Sequence, residues 1–565
     1  MDFKLEIAKI LEKQTNMPME DVIASIETPP ELDLGDFAFP CFRLAKELKK
    51  APPAIAQEIC EAITPPSFVD KIEAKGPYLN FYLKRDAYAK GVLPQVYTLG
   101  EDYGKRDIGV GQYVVIDYSS PNIAKPFHIG HLRSTVIGHA LYNIFNKLGY
   151  RSYSINYLGD WGTQFGKIIT AFERWSNKDE VVAGGIDALV KLYVRFHDEA
   201  EENPKLEDEA RAWFLKMEQG DEYALNLWRL VKDISLLDYK KIYDLFEIDF
   251  DSYNGESFYN DKMTPVVEEI AAKGLLIEDK GAMLVDLEEH KMPPCLILRK
   301  DGGTLYATRD ITSALYRKNE YNFAKAIYVT ANEQNLHFAQ FFKVVELMGY
   351  KWAKDELVHV PFGFMNLPEG KMSTRKGNVL LMEDLIDQTI EKVRETIEEK
   401  NPTLEDKEAV AQQVGLGAII FNDLFNSRVK DVEFSWERML SFEGETGPYA
   451  QYTHARCCSV LEKASDVDYS DADVSLLTSD EEFELIKTIA TFGDKIEEAA
   501  NKYEPFVISR FIIAVAQGYN KFYHNNPILK TDEDLKKARL YLTHCVRDVL
   551  ASALGILGIK APSKM

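Results

Sequence analysis

The chain alternates between two hydrophobic rhythms. Near its start Phe3, Ile7, Ile10 and Leu11 recur at three- and four-residue intervals, which predicts an amphipathic helix. Residues 78–83 (Tyr-Leu-Asn-Phe-Tyr-Leu) alternate as a half-exposed strand would, and the Pro-, Gly- and Asp-rich stretch 27–36 predicts a loop. Residues 1–108 thus read as a small α+β domain, ending in a linker rich in Gly, Asp and Lys at 100–111. The rhythm then changes. Residues 113–116 (Tyr-Val-Val-Ile) are a short apolar run of the kind buried in a parallel sheet. A polar turn, a helical stretch at 129–148 and a strand at 152–157 complete the repeating unit of a doubly wound parallel sheet. A strand at 324–330, a helix at 336–348 and a strand at 358–364 extend it. Residues 168–290 have mostly helical periodicity and predict an insertion in a domain covering 109–400. From about 405 onward the pattern is helical throughout, with helices at 414–425, 449–463, 481–502 and 536–557 and an acidic loop at 466–480. This predicts an α-helical bundle over 401–565.

Composition narrows the choice. At ~150 residues per domain, 565 residues suggest three or four domains. With 67 Lys and Arg against 90 Asp and Glu, the formal net charge is −23, so the far field repels phosphate and excludes indiscriminate coating of nucleic acid. Any nucleic-acid partner must be held by local basic and aromatic patches. A charge every two or three residues in 1–13 leaves no apolar signal core, and no apolar run approaches the ~18–20 residues that cross a bilayer. The cysteines (Cys41, Cys60, Cys295, Cys457, Cys458, Cys545) form no C-x-x-C pair, which predicts reduced thiols in a cytoplasmic protein rather than a zinc knuckle or disulfide framework.

Two segments carry candidate chemistry. Residues 119–131 read Ser-Ser-Pro-Asn-Ile-Ala-Lys-Pro-Phe-His-Ile-Gly-His, between the first predicted strand of the parallel sheet and its helix. A helix N-terminus at the carboxyl edge of such a sheet presents free N–H groups to an anion. His128 and His131, at i and i+3, point at a phosphate there, and Gly130 lets a flat ring approach. A metal pair with His139 as third ligand and a pair of satisfied core histidines are the competing readings. The second segment, 368–378, reads Pro-Glu-Gly-Lys-Met-Ser-Thr-Arg-Lys-Gly-Asn. Its cations Lys371, Arg375 and Lys376 suit a loop that closes on polyphosphate, against the alternative of a solvated basic surface.

In this order, His-Ile-Gly-His followed by Lys-Met-Ser resembles the HIGH and KMSKS signatures of class I aminoacyl-tRNA synthetases. Longer stretches resemble the arginyl-tRNA synthetase family: SSPNIAKPFHIGHLRST at 119–135, NYLGDWGTQFG at 156–166, TLYATRD at 304–310 and FEGETGPYAQYTHAR at 442–456. The similarity runs over essentially the whole chain. It implies an α/β multidomain protein with a Rossmann-like catalytic domain, ATP and Mg²⁺ as cofactors, and L-arginine and tRNA(Arg) as partners. It further implies a monomer without membrane attachment. The expected reaction joins arginine to ATP as arginyl-adenylate and then transfers it to the terminal 2′-hydroxyl of the tRNA, with activation dependent on tRNA. The resemblance makes His128, His131 and Lys371 catalytic. It puts His128, Gly130, His131, Gln334, Lys371, Met372, Ser373, Arg375 and Lys376 at ATP. Asp117, Asn122, Tyr306, Asp310 and Gln334 surround the arginine, with His128 nearby. One departure is that the second lysine of the family's loop is Thr374 here, so Arg375 and Lys376 are the candidates to replace it. Asp310 has a simpler alternative, an ion pair with Arg309 or Arg317.

A planar, permanently charged guanidinium with five donors needs acceptors in fixed planes, and a site built that way rejects analogues without an editing domain. For tRNA, Tyr449, Tyr452 and Arg456 share one helix face by spacing, and Tyr519 and Tyr523 form an i, i+4 pair. Such aromatics are equally suited to a bundle core. Residues 536–565 hold Lys536, Lys537, Arg539, Arg547, Lys560 and Lys564 against Asp548 as the lone acid. The resemblance places Tyr449, Tyr452, Arg456, Tyr523 and Met565 at the anticodon, and Tyr78 and Asn80 at the D-arm.

Overall fold

The computed structural model describes residues 3–29, 34–300, 302–366 and 381–565. It divides into two compact units, one of 1–103, 453–492 and 514–552, the other of 104–452, 493–513 and 553–565. In the first, the helix Phe3–Thr15 buries Phe3, Ile7 and Leu11 as its spacing predicts. Beside it stands a three-stranded antiparallel sheet, with Tyr78–Leu83 between Phe37–Pro40 and Val69–Lys75. The expected half-exposed alternation of 78–83 is replaced by consecutive burial of Leu79, Asn80 and Phe81. Successive side chains point to opposite faces, so a central strand covered on both sides loses the alternation. The single helix expected at 481–502 is two, Asp480–Ala490 and Phe492–Lys502, with the Thr491 hydroxyl donating back to Thr488 O at the break.

The second unit is built on a four-stranded parallel sheet ordered Leu357–Phe362, Lys325–Ala331, Tyr113–Asp117, Arg151–Ile155. These are the predicted strands with small shifts at their ends. From Tyr113–Asp117 the chain goes to one side of the sheet first and to the other later. The switch point therefore lies between Tyr113–Asp117 and Lys325–Ala331, where an open α/β sheet leaves its ligand crevice. The helix Ile129–Lys147 buries Leu132, Val136, Leu141 and Ile144 among others. A Cβ on Gly138 would lie 2.2 Å from the Tyr118 ring. Gly138→Ala is accordingly expected to cost about 1–3 kcal/mol, read as a lowered thermal midpoint.

The inserted region contains the helices Thr163–Trp175, Lys178–Glu202, Lys205–Glu218 and Glu222–Leu245. The helix Met263–Ala272 follows, and then a sheet that the periodicity did not show: Leu276–Asp279 and Ala282–Val285, with Cys295–Leu298 just past 290, form three antiparallel strands. Strands this short carry little periodic signal. Their mark is the Lys280-Gly281 turn, with φ of 51° and 85°, as a two-residue hairpin requires. Likewise the region after 405 is not wholly helical: Val432–Glu433 pairs in parallel with Met365–Asn366 after the helix Lys407–Leu424. A two-residue strand has no period to detect. Among the described residues no helix is long and apolar enough to cross a membrane.

Candidate active site

The loop from the first strand of the parallel sheet to its helix is backed by strain and by buried hydroxyls. Ser119, Ser120 and Ala124 all have positive φ (69°, 43° and 62°), unfavourable for residues with a Cβ and sustained here by surrounding bonds. Ser119 N–H donates to Ser134 Oγ at 3.0 Å, and Ser119 Oγ lies 2.8 Å from both Thr135 Oγ1 and Tyr243 OH. Ala124 N–H donates to Ser235 Oγ at 3.0 Å, while Tyr239 OH donates to the carbonyls of Asn122 and Lys125 at 2.8 and 2.7 Å. Ser235, Tyr239 and Tyr243 recur every four residues on the helix Glu222–Leu245, so one face of the insertion holds the signature loop. That i, i+4, i+8 stripe was the sequence signal for these supports.

His128 is the N-cap of the helix Ile129–Lys147. Its Nδ1 accepts from Gly130 N–H at 3.1 Å, and His131 Nδ1 accepts from His128 N–H at 3.2 Å. With each Nδ1 accepting, the neutral rings carry their proton on Nε2. The imidazoles stack at 3.9 Å between centroids. Burial holds the His128 and His131 pKa values below the usual histidine range, His131 far below, with Lys125 acting in the same direction on both. At neutral pH both are therefore neutral N–H donors rather than cations. This geometry leaves no Nδ1 for a metal; among the described residues no three His, Cys, Asp or Glu gather as a metal cage.

From the same helix, Arg133 is buried to 1% exposure. Its Nε lies 3.1 Å from the equally buried Asp423, and its Nη1 donates to Gly363 O at 2.8 Å and Lys430 O at 3.0 Å. The guanidinium thereby joins the histidine helix to the end of the fourth strand of the parallel sheet and to the helix Lys407–Leu424. Lys371, Met372, Ser373, Thr374, Arg375 and Lys376 lie outside the described residues.

The acids at the sheet's carboxyl edge have distinct surroundings. Asp117 ends its strand, buried, with Arg317 Nη1 at 2.8 Å and Ser120 Oγ donating at 2.9 Å. Burial pushes its carboxyl up and Arg317 pulls it back. Arg317 thus pairs with Asp117, and the nearest contact of Asp310 is His337 Nε2 at 2.5 Å. The segment carrying Tyr306 and Asp310 is helical from Tyr306, which places both on one face at the N-terminal end of Tyr306–Tyr321. Tyr306 is 64% exposed. Asn122 is exposed, with its side chain lying over Gly159: a Cβ there would fall 2.0 Å from Asn122 Oδ1. Gln334 is exposed in the turn Asn332–Gln334, directly after the strand Lys325–Ala331.

Glu256 was missed in the sequence; its only mark was a turn reading Asn-Gly-Glu-Ser. It is buried, with Arg309 Nη1 at 3.7 Å. Burial pushes its carboxyl up to about 7, against the pull of Arg309 and with the push of Asp310 and Asp160. Arg309 is the cation that Glu256 faces, and a buried acid shifted by burial and by neighbouring acids marks a candidate binding residue.

The residues expected at tRNA fall into different settings. Tyr452 and Tyr523 are exposed to 40% and 38%, whereas Tyr519 is buried as core. Arg456 lies over the Tyr523 ring at 5.2 Å. Met565 packs beside Val393 and Ile397, and its carbonyl accepts from Asn401 Nδ2 at 3.1 Å. Tyr78 is half-buried against exposed Phe42, and Asn80 is buried with Oδ1 unpartnered. In the basic run at 536–565, Arg539 pairs with Glu482 in the interior, Arg547 pairs with Asp548 half-buried, and Lys560 pairs with Glu247 at the surface.

Three family models match in succession: "Arginyl tRNA synthetase N terminal domain" over 1–83, "tRNA synthetases class I (R), catalytic domain" over 93–436 and "DALR anticodon binding domain" over 450–565. The arginine–tRNA ligases of Alkaliphilus metalliredigens and Clostridioides difficile are each 52% identical to this chain over 565 residues, covering all of both chains. The Thermus thermophilus arginyl-tRNA synthetase structure is 25% identical with a TM-score of 0.83 over the full length of both. That from Plasmodium falciparum is 23% identical, covers all of this chain and 99% of its own, and shares the fold at a TM-score of 0.82. A helix mouth lined by two imidazoles at the switch point of a parallel sheet and these matches from end to end lead to one conclusion: the chain belongs to the arginyl-tRNA synthetase family.

Proposed function

We propose that this protein is an arginine–tRNA ligase that activates L-arginine with ATP and esterifies it to the 2′-hydroxyl of the terminal ribose of tRNA(Arg). The observation that carries the reading is the pair of Nε2–H donors, His128 and His131, at the switch point of the parallel sheet. In the first step an arginine carboxylate oxygen bonds to the α-phosphorus and the bond to the pyrophosphate oxygen breaks. In the second the ribose oxygen attacks the acyl carbon and AMP leaves. Neither step needs a covalent enzyme intermediate, so positioning and charge stabilisation do the catalysis. His128 and His131 donate to the phosphate oxygens, with Gly130 beneath the nucleotide and Gln334 at the rim. Lys371, with Met372, Ser373, Arg375 and Lys376, meets the leaving pyrophosphate. Mg²⁺ carried in with ATP would neutralise charge on its phosphates.

Asp117, Asn122, Tyr306, Asp310 and Gln334, with His128 nearby, are assigned to the arginine; Glu256 joins them as an acceptor for its guanidinium, and Arg317 holds Asp117 in place. A proton must leave Glu256 before a guanidinium pairs with it. The KM for arginine is therefore expected to rise by about tenfold per pH unit below about 7 and to level off above it. Initial rates at saturating ATP across that range check this, and a flat profile would count against Glu256. Tyr449, Tyr452, Arg456, Tyr523 and Met565 are assigned to the anticodon and Tyr78 and Asn80 to the D-arm, in a chain parted at 1–108, 109–400 and 401–565. Tyr452→Ala is expected to raise the KM for tRNA by roughly tenfold, since a stacked base is worth ~1–3 kcal/mol. The family resemblance also supports a cytoplasmic, monomeric enzyme. ATP–pyrophosphate exchange tests the whole reading: it should require both arginine and tRNA(Arg). Exchange driven by ornithine as well as by arginine would overturn it.

A further inference from the structure

Asp160, in the 156–166 motif, is fully buried and its carboxylate is met by three donors. Ser257 N–H and Ser257 Oγ–H both donate to its carboxylate at 2.8 Å, and Lys232 Nζ donates at 2.6 Å. Its main-chain carbonyl accepts from Trp228 Nε1 at 2.7 Å. Ser257 directly follows Glu256, whose N–H donates to Leu158 O at 3.0 Å. At Gly255 a Cβ would lie 2.6 Å from Leu158 O and 2.7 Å from Asp160 Oδ1, so the turn carrying Glu256 lies backbone-to-backbone on 158–160. An apolar filling would hold such a turn as stably as a buried ion pair does, because desolvation offsets most of the pair's attraction. The acid here is aimed at the turn that presents the guanidinium receptor.

We propose that Asp160 and Lys232 form a positioning pair for Glu256 and, through it, for recognition of the substrate guanidinium. This rests on the reading that Glu256 grips arginine. The pair acts in two ways. Through Ser257 it fixes the direction of the Glu256 side chain, and through space the Asp160 charge, offset by Lys232, tunes how readily Glu256 ionises. Glu256 is faced by Asp160 and the Trp161 N–H from the motif, with Tyr157 nearby. From the helix Tyr306–Tyr321 it is faced by Tyr306, Arg309 and Asp310. Lys232 stands behind Asp160 on the helix Glu222–Leu245.

Opposite signs make the test specific. In the full-length enzyme with tRNA(Arg), arginine and ATP KM values are measured by pyrophosphate exchange across neutral pH for Asp160→Asn, Lys232→Met, Ser257→Ala and Glu256→Gln. Asp160→Asn removes a negative neighbour, so the acid limb of the arginine KM profile moves to lower pH. Lys232→Met leaves Asp160 uncompensated, so that limb moves to higher pH. Ser257→Ala raises the arginine KM several-fold, and the ATP KM stays unchanged in all three. A general packing defect would move both KM values and would not reverse sign between the two charge variants. Should Asp160→Asn fail to fold, the upward shift in Lys232→Met and the selective effect of Ser257→Ala still decide the matter. Glu256→Gln is expected to erase the acid limb; if it leaves the limb in place, the Glu256 reading fails. If it erases the limb while the charge variants shift together or not at all, the positioning pair is overturned.

Discussion

Replacing His131 with alanine is expected to slow adenylate formation by roughly 10²–10³, or ~3–4 kcal/mol of transition-state stabilisation, while arginine affinity stays close to normal. His131 combines two roles in one ring. Its Nδ1 accepts the His128 N–H at 3.2 Å and closes the helix cap, which leaves its Nε2–H free to donate outward. Alanine removes both, and loss of the cap alone is worth ~1 kcal/mol. Single-turnover formation of arginyl-adenylate separates the roles. A unit loss confined to stability, with an unchanged rate, would remove His131 from the chemistry. Protonation of the two rings offers a second check. Burial holds both imidazoles below the usual histidine value, so they stay neutral donors at pH 7 and above, and the rate should not fall there through their titration. Going down in pH, the unfolded chain takes up these protons first. Stability is therefore lost below about 6.5 and is unaffected above it.

The second large effect is structural. Arg133→Met leaves Asp423 buried without its partner, and a stranded buried charge typically costs ~3–5 kcal/mol. Thermal unfolding should show it as a markedly lower midpoint. The double variant Arg133→Met/Asp423→Leu removes both charges and should recover most of that loss, because an apolar pair of similar volume is close to neutral in stability. Arg133→Lys keeps the charge but cannot fan out to Gly363 O, Lys430 O and Asp423 together, so it should fall between. If the double variant is no more stable than Arg133→Met alone, then the carbonyl contacts rather than the ion pair carry the energy.

Much of the molecule was legible in the order of its residues. The four parallel strands stood out because apolar runs buried on both faces contrast with the helical period between them. The helix mouth at His128 was marked by a polar turn between such a run and an amphipathic stretch. Elements too short to show a period were not legible: the strands around the Lys280-Gly281 turn and the two-residue pairing of Met365–Asn366 with Val432–Glu433. Nor was the burial of Leu79, Asn80 and Phe81, which depends on what covers a central strand.

The same division runs through the site. Local chemistry named the imidazoles, since a helix N-terminus and its cap involve neighbours along the chain. Which acid meets which cation is a matter of long-range packing. Asp117 pairs with Arg317, Asp310 turns to His337, and Glu256 is laid against 158–160 by residues nearly a hundred positions away. Charge has no period and its partners are chosen by burial, so those assignments emerge when distant segments close around them and water is excluded.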